Sequence, residues 1–410
     1  MKTSLKLIPF FKAAITKAEE RAVLEVLRSG WLTTGKKVLQ FEKDFSHLMN
    51  SVSPKIKVER KKCALSNDAI ISLAVNSNTS GLLLAYEACG VGKNSAIITT
   101  PYTFVSTALC ARHLQADVFF ADIEKDSYNI DPKSVEKILS SPRGKKVKAI
   151  VAVHIGGNVC NMRALLSLAK KYKVYLIEDA AHSFPSKTSL GFAGSIADVG
   201  VFSFYATKPI TTGEGGMVCT RNAKLAKRIE RMRMHGMDRN AWDRYTSDKA
   251  SWKYDIVAPG YKCNLPDVLA AIGIEQLKKA NTLFEKRKKI AELYNTYFSK
   301  MPFLETPPND DGNAWHLYLL RLKENSLTIS RNEFAKKLQD SGIGITVNFI
   351  PLFHFTYWKN LYKSFTEKKF PNAEKKYAHT ITLPLWPDMK NDDIMRVIKT
   401  VKKIGETYAR

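Results

Sequence analysis

The residue with the clearest chemical potential is Lys208, which follows the apolar run 201–205 in the stretch VFSFYATKPITTGEGGM. A lysine at the end of a buried strand becomes a nucleophile when burial lowers its pKa, and it can then condense with an aldehyde. The glycines of the following turn, residues 213–216, allow the backbone to pass close to a ligand. More often, a lysine at such a position extends its amine to solvent or pairs with an acidic residue. Whether Lys208 is a nucleophile therefore depends on the residues around it.

A second candidate is Asp179, which follows Glu178 at the end of the strand-like stretch LIEDAAH. A buried carboxylate beside a pyridine nitrogen keeps that nitrogen protonated and makes the ring an electron sink. The alternative is that Asp179 only caps the segment that follows it.

Two further stretches supply a phosphate site and aromatic rings. In NSNTSGLLLAYEACG, Asn78, Thr79 and Ser80 precede an apolar helix, whose free N–H groups suit a phosphate, although an ordinary helix cap has the same sequence. In TPYTFVSTAL, Tyr102 and Phe104 could stack on a flat ring or simply pack in the core. The lysine, the acid, the phosphate site and the aromatic ring together indicate a site for pyridoxal 5′-phosphate.

These residues need a scaffold in which several strands end at one place. Apolar runs rich in β-branched residues alternate with helical segments, which favours an α/β fold with a mainly parallel sheet covered on both faces. Ligands of such sheets bind at the carboxyl ends of the strands, where Lys208 and Asp179 are expected. The predicted strands are 95–100, 116–123, 147–155, 173–180, 199–206 and 216–220.

From about residue 285 the pattern changes to a basic helix, a few strands and a closing helix. We therefore predict a large domain, 1–284, and a smaller C-terminal α+β domain, 285–410, which includes a strand at 343–350. The basic segment 53–75 interrupts the regular pattern, and we predict that it is an inserted surface hairpin.

Composition limits the class of protein further. The 410 residues are 45% hydrophobic and have a net charge of +25, with lysines scattered over amphipathic helices. This scatter favours solvated helix faces over a nucleic-acid surface. The six cysteines are dispersed, which predicts buried free thiols, no metal site and a reducing compartment. Since neither a signal peptide nor a long apolar window is present, we expect a cytoplasmic protein without membrane insertion.

A series of motifs connects the chain with a known family. They are, in chain order, VLRSGWLTTG, SNTSGLLLA, TPYTFVSTA, IEDAAHS, FSFYATKPITTGEGGM, PGYKCNLPDVLAAIGIEQL, AWHLYLLRL and LPLWPDM. With these motifs the chain resembles, over nearly its whole length, the DegT/DnrJ/EryC1/StrS family of pyridoxal-phosphate-dependent nucleotide-sugar aminotransferases. The stretch 234–264 is similar to the branch that includes UDP-4-keto-pentose aminotransferases. The resemblance implies the fold type I architecture of aspartate aminotransferase, with pyridoxal 5′-phosphate as cofactor.

The resemblance also implies roles for residues around the cofactor ring. Lys208 would condense with the cofactor aldehyde, and Asp179 would pair with the pyridine nitrogen. His182 would contact the cofactor near its 3-hydroxyl group, and Phe104 would stack on the ring.

The cofactor phosphate would be held by a separate group of residues. Thr79, Ser80 and Ser203 would contact it within one subunit. Asn264 matches a family residue that reaches the phosphate of the neighbouring subunit, which implies a homodimer with shared active sites.

The implied substrates are an amino-acid donor, by family analogy glutamate, and a nucleotide-linked keto-sugar that is aminated at C4. Candidate substrate contacts are Tyr102, Arg239, Lys262 and Asn348, and the basic stretch that contains Arg239 and Lys262 would bind the diphosphate. Asn348 departs from the family, since many members carry a histidine there near the substrate.

Three alternatives remain open. Amination could occur at C3 of the sugar instead of C4. A sugar dehydratase of the same family carries a histidine in place of the lysine, so Lys208 argues against that branch. A non-catalytic, basic regulatory protein on the same fold would have no need to keep Lys208, Asp179 and His182 together.

Overall fold

The computed structural model describes residues 6–52, 66–238, 253–308 and 312–410. Its first part contains the strands β1 (Ser66–Val75), β2 (Ala96–Thr99), β3 (Asp117–Phe120), β4 (Val147–Val153), β5 (Tyr175–Asp179), β6 (Lys187–Thr188), β7 (Gly191–Phe192), β8 (Val199–Ser203) and β9 (Gly216–Asn222). The helices of this part are α1 (Lys17–Ser29), α2 (Lys36–Asn50), α3 (Asn78–Ala88), α4 (Ser106–His113), α5 (Pro132–Leu139), α6 (Met162–Tyr172), α7 (Ala223–Met232) and α8 (Asp267–Lys278).

The central layer is a mostly parallel sheet, which within the described residues has seven strands in the order β1–β9–β8–β5–β4–β2–β3. The pairs β2–β3, β2–β4, β4–β5 and β5–β8 are parallel, whereas β9 runs antiparallel to β8 and β1. Asp179 is paired with Val153 and Val201, so the carboxyl ends of β4, β5 and β8 meet at one edge. The predicted fold class is confirmed.

Helices cover both faces of this sheet, and each strand contributes to both cores because successive residues point to opposite faces. In β4, Ala149 and Val151 pack with residues of α3, α4 and α7. The intervening Ile150 and Ala152 pack with residues of α5 and α6. Burial on both faces explains why these strands are almost continuously apolar.

The C-terminal part forms a smaller α+β unit. Its elements are α9 (Ala280–Phe298), β10 (Leu304–Glu305), β11 (Tyr318–Leu322), α10 (Arg331–Asp340), α11 (Thr356–Leu361), α12 (Pro371–His379), β12 (Thr380–Leu383) and α13 (Asn391–Tyr408). The antiparallel strands β10, β11 and β12 pack with α9, α10 and α13 around a core that contains Tyr294, Phe334 and Val397. The predicted boundary after residue 284 falls inside α9, and the division into 1–284 and 285–410 stays a prediction.

The segment 53–75 differs from its prediction as an inserted hairpin. Ser66–Val75 forms β1, which pairs with β9 in the central sheet, so this part of the segment belongs to the scaffold. Residues 53–65 lie outside the described residues. The prediction failed because it treats the basic residues before β1 and the apolar strand that follows them as one segment.

The predicted strand at 343–350 is also absent from the described structure as a regular element. Only Ile343 and Thr346 make isolated bridges, with Ile8 and Thr382 respectively. Ile343 is buried in the core of the C-terminal part, whereas residues 344–349 are only partly buried, and Asn348 lies in the wall of a cavity.

The described cysteines are buried free thiols, as predicted: Cys89, Cys110, Cys160, Cys219 and Cys263. Cys63 lies outside the described residues. In the part of the chain that the structure describes, no helix has both the length and the hydrophobicity needed to cross a membrane.

A buried ion pair joins α2, β1 and the end of α7. Arg233 is 8% exposed, and its Nη1 lies 2.5 Å from Oε1 of Glu42. The same Glu42 oxygen accepts a hydrogen bond from the Ala74 backbone N–H at 2.8 Å, while Arg233 donates to the Ala74 carbonyl at 2.7 Å. Removing either partner would leave the other charge buried.

We expect Arg233→Met to lower the free energy of unfolding by about 3–5 kcal/mol, because Glu42 loses its counter-charge in a buried position. Lys17→Met is the matched control, since it breaks the exposed pair with Glu20 and should leave the denaturation midpoint unchanged. Urea denaturation followed by circular dichroism measures both variants. Equal midpoints for the two variants would contradict a stabilising role for the buried pair.

Candidate active site

A cavity of about 350 Å³ opens at the carboxyl edge of the parallel strands, between the sheet and the C-terminal part. Residues that end or follow β5 and β8 form one side, and the N-terminus of α3 forms another. The N-terminal segment and the C-terminal part close the remainder. The lining includes Phe10, Phe11, Ser77, Asn78, Thr79, Phe104, Asp179, His182, Ser203, Tyr205, Lys208, Glu214, His316, Asn348 and Phe349.

Lys208 lies in a turn after β8, where its backbone N–H donates to the Tyr205 carbonyl at 2.9 Å. The side chain is half-buried and contributes to the cavity wall. Burial lowers the pKa of the Lys208 amine to about 8, although the nearby Asp179 carboxylate opposes this effect. A larger fraction of the amine than in free lysine is therefore uncharged near neutral pH, and the uncharged amine is the form that attacks an aldehyde.

Asp179 ends β5 and is 4% exposed. Its carboxylate accepts hydrogen bonds from the Thr107 hydroxyl at 2.8 Å, the Asn78 side-chain amide at 3.3 Å and the Ala181 backbone N–H at 3.3 Å. Burial raises the pKa of Asp179, and these donors together with Lys208 counteract the rise. Residues 181–185 form turns, so Asp179 does not cap a helix there.

His182 is buried beside Asp179, and its protonation is fixed by one hydrogen bond. The Gly156 backbone N–H donates to His182 Nδ1 at 3.2 Å, which places the ring proton on Nε2. Burial lowers the pKa of His182 well below its usual value, and Lys208 adds to this effect. The neutral ring stacks on Phe349, with centroids 5.5 Å apart.

The N-terminus of α3, where we predict the phosphate site, lies at the cavity. Ser77 is the N-cap residue and accepts from the Ser80 backbone N–H at 3.1 Å. Thr79 and Ser203 line the cavity, and their contact with a phosphate stays a prediction. The Ser80 hydroxyl instead lies 3.0 Å from the Ser77 hydroxyl, and Ser80 is outside the described lining, so we expect its contribution to be indirect.

The close approach of β9 to this helix end depends on Gly216. A Cβ at this position would lie 2.7 Å from the Ser77 carbonyl carbon and 2.9 Å from the Asn78 nitrogen. These are backbone atoms that cannot move aside, so any side chain would displace the helix N-terminus. Gly216 therefore keeps the N-terminus of α3 close to β9, the strand that follows the turn carrying Lys208.

The two predicted aromatic residues have different environments. Phe104 lines the cavity and is 57% exposed, which leaves its ring free to stack on a ligand. Tyr102 is fully buried and its hydroxyl donates to the Asn348 carbonyl at 2.9 Å. The prediction of Tyr102 as a substrate contact is therefore wrong, because the ring packs in the core and supports the Asn348 backbone.

The other predicted substrate contacts are dispersed. Asn348 lines the cavity, and its buried Oδ1 has no hydrogen-bond partner among the described residues. Lys262 is exposed, with its Nζ 3.4 Å from Met234 Sδ, and lies outside the described lining. Arg239 falls in 239–252, outside the described residues.

Asn264 also lies outside the described lining of its own cavity. Its Nδ2 donates to the Thr34 hydroxyl at 2.7 Å, and that hydroxyl donates to the Leu265 carbonyl at 2.7 Å. The carboxamide is therefore held in one orientation at the junction of two segments that are distant in sequence.

Several functional residues were not predicted. Thr107 and His316 occur inside quoted motifs, STAL and AWHLY, but nothing in their spacing indicated contact with Asp179 or with the cavity. Phe10 and Phe11 reach the cavity because the Ile8 backbone is hydrogen-bonded to Gly342 and Gly344 at 2.9 and 2.7 Å. Such long-range contacts leave no local signal in a sequence.

The model of the DegT/DnrJ/EryC1/StrS aminotransferase family matches residues 13–402 of this chain. The chain belongs to this family. Spore coat polysaccharide biosynthesis protein SpsC of Bacillus subtilis is 40% identical over 400 residues, which cover 97% of each chain.

Two solved structures support the same conclusion. The putative sugar aminotransferase Spr1654 from Streptococcus pneumoniae, in its PMP form, has a TM-score of 0.86 at 28% identity and covers 98% of this chain and 99% of its own. Helicobacter pylori PseC, an aminotransferase involved in the biosynthesis of pseudoaminic acid, has a TM-score of 0.85 at 29% identity and covers 98% and 100%. The chain is thus a pyridoxal-phosphate-dependent aminotransferase, and the predicted cofactor is confirmed by the PLP and PMP forms of Spr1654.

The residues of the cavity fit this cofactor. Asp179 presents a buried carboxylate for the ring nitrogen, and Lys208 presents an amine with a lowered pKa for the aldehyde. Thr79, Ser203 and the free N–H groups of α3 would hold the phosphate. Phe104 would cover the ring.

The pKa of Lys208 leads to a pH-dependent prediction. The rate at which the apoprotein takes up pyridoxal phosphate should rise as the pH increases through about 8 and then level off, because only the uncharged amine attacks the aldehyde. Stopped-flow absorbance of the bound cofactor measures this rate, with Nα-acetyl-lysine as the control whose rate keeps rising toward pH 10. A protein profile that follows the control would contradict the lowered pKa of Lys208.

Proposed function

We propose that this enzyme transfers an amino group from an amino acid, with glutamate as the expected donor, to the C4 keto carbon of a nucleotide-linked sugar. The observation that carries the proposal is the meeting of Lys208, Asp179 and His182 in one cavity of an aminotransferase. The names of SpsC and Spr1654 favour a sugar acceptor. We assign the reaction to surface polysaccharide, lipid or glycan biosynthesis in the cytoplasm.

The proposed chemistry divides between the cofactor and the protein. When bound, pyridoxal phosphate supplies an electron sink and carries the amino group between the two substrates. Lys208 holds the cofactor and, once released, moves a proton at the reacting carbon, first as a base and then as an acid. Its pKa of about 8 suits both tasks near neutral pH. Asp179 keeps the ring nitrogen protonated, and His182 offers its Nε2 proton to the 3-oxygen.

Other residues of the cavity lining suit a sugar. Phe10, Phe11 and Phe349 form apolar walls on which the C–H face of a sugar ring can pack. The Asn348 carboxamide can form hydrogen bonds with sugar hydroxyl groups. Cationic side chains such as Lys262 and Arg239 would bind the nucleotide diphosphate at the mouth of the site.

We further propose that the enzyme is a homodimer in which Asn264 serves the cofactor phosphate of the partner subunit. The hydrogen bonds through Thr34 hold the Asn264 carboxamide in place while leaving it outside the lining of its own cavity. Exposed apolar side chains on the adjacent α1 and the loop after it would be covered by the second copy: Leu24, Leu27 and Leu32.

The alternative functions have less support. Lys208 lines the cavity, whereas a dehydratase of this family would carry a histidine there. A regulatory protein without catalysis would not require a buried acid beside a lysine with a lowered pKa. Amination at C3 remains the second candidate.

We expect the purified enzyme, supplied with glutamate, to convert a UDP- or dTDP-linked 4-keto sugar to its 4-amino derivative. A panel of 4-keto and 3-keto nucleotide sugars analysed by NMR identifies the product and the aminated carbon. Lys208→Ala is the control and should lose transamination by several orders of magnitude. Turnover of the 3-keto sugars alone would contradict C4 amination, and turnover of neither class would contradict the sugar acceptor.

The dimer proposal predicts complementation between inactive variants. Mixing Lys208→Ala with Asn264→Ala subunits should restore up to about one quarter of wild-type activity, because half of the dimers are mixed and one of their two sites is intact. A mixture of Lys208→Ala with Asp179→Asn is the matched control, since both residues belong to the same subunit's site and no intact site forms. Absence of rescue in the first mixture, or equal rescue in both, would contradict the shared site.

A further inference from the structure

Arg287 of α9 is a buried charge close to the reactive lysine. The residue is 2% exposed, and its Nη1 donates to the carbonyl of Pro209, the residue directly after Lys208, at 3.0 Å. Its Nε is buried and has no hydrogen-bond partner among the described residues. The carboxylate of Asp388 acts on it electrostatically but pairs with Lys286 at 2.7 Å.

A guanidinium in this state is unfavourable for folding. Burial lowers the pKa of Arg287 to about 10, which reflects the cost of removing its charge from water. Replacing buried ionic groups by apolar side chains of similar volume is often neutral or stabilising, so a buried charge is weak evidence for a role in stability. The single bond to the Pro209 carbonyl therefore points to a role in the site rather than in the fold.

We propose that Arg287 is a positioning residue, which fixes the backbone directly after Lys208 and thereby sets where the Lys208 amine stands in the cavity. The turn that carries Lys208 leaves β8, and beyond Pro209 it is held to that strand end by hydrogen bonds from Thr211 and Thr212 to the Phe204 carbonyl. Thr211, three residues further on, donates its backbone N–H to Gln276 of α8 at 3.3 Å. Arg287 thus connects the lysine turn to α9, the helix that leads into the C-terminal part.

The charge of Arg287 also acts on the cavity wall. His316 lines the cavity, and its ring lies 4.4 Å from that of His182 between centroids. Burial holds the pKa of His316 well below its usual value, and His182, Lys208 and Arg287 add to this effect. Arg287 therefore helps to keep this wall uncharged while it holds the lysine turn. The inference rests on the proposed role of Lys208 as the residue that holds the cofactor.

The test compares Arg287→Met, Arg287→Lys and the control Lys289→Met, which removes one exposed charge from the same helix. Arg287→Met should keep or raise the melting temperature, because an unpaired buried charge is lost. It should also slow the uptake of pyridoxal phosphate by the apoprotein and lower kcat, each by about tenfold to a hundredfold, with little change in the KM of the sugar. Arg287→Lys should recover part of both rates, and Lys289→Met should match the wild type.

Two outcomes would overturn the proposal. In the first, Arg287→Met takes up the cofactor and turns over at wild-type rates. In the second, the melting temperature and the activity of both Arg287 variants fall in parallel, as expected if Arg287 only stabilises the fold. If Arg287→Met does not fold, the Arg287→Lys variant tests the proposal instead. Wild-type rates of cofactor uptake and turnover in this variant overturn the proposal, whereas slowed cofactor uptake with an unchanged melting temperature supports it. A wild-type protein that takes up no cofactor would instead refute the role of Lys208 on which the proposal rests.

Discussion

The site depends on a buried carboxylate that must remain charged. Asp179 lies at the end of β5 with almost no exposure, where desolvation favours its neutral form. Three hydrogen-bond donors from separate elements, Thr107, Asn78 and the Ala181 backbone, favour the ionised form instead. The packing of α3 and α4 on the sheet is thus required for the chemistry, because each supplies one of these donors.

Several groups that can each carry a positive charge lie around this carboxylate. Lys208, His182 and His316 line one cavity, and Arg287 lies behind the lysine turn. Since burial disfavours each charge, the pKa values of both imidazoles lie well below their usual value and the pKa of the lysine amine is lowered to about 8. The apolar scaffold therefore determines the reactivity of the lysine at least as much as any single contact does.

The sequence predicted the parts of this arrangement that follow from local patterns. Apolar strands followed by Asp179 and Lys208 indicated a parallel sheet with a site at its carboxyl edge, and the cap of α3 indicated a phosphate site. The sequence did not predict Arg287 or Phe10, which reach the site through contacts with residues far along the chain. It also misjudged Tyr102, since an aromatic residue after a strand has the same pattern whether it faces a cavity or the core.

The central claim is that Lys208, and no other of the many lysines, holds the cofactor. Borohydride reduction of the wild-type holoenzyme, followed by proteolysis and mass spectrometry of the peptides, tests it most directly. The account predicts one pyridoxyl group per chain, on the peptide that contains SFYATKPITTGEGG, together with loss of the visible absorbance band. A pyridoxyl group on a different lysine, or a band that survives reduction without labelling Lys208, would contradict it.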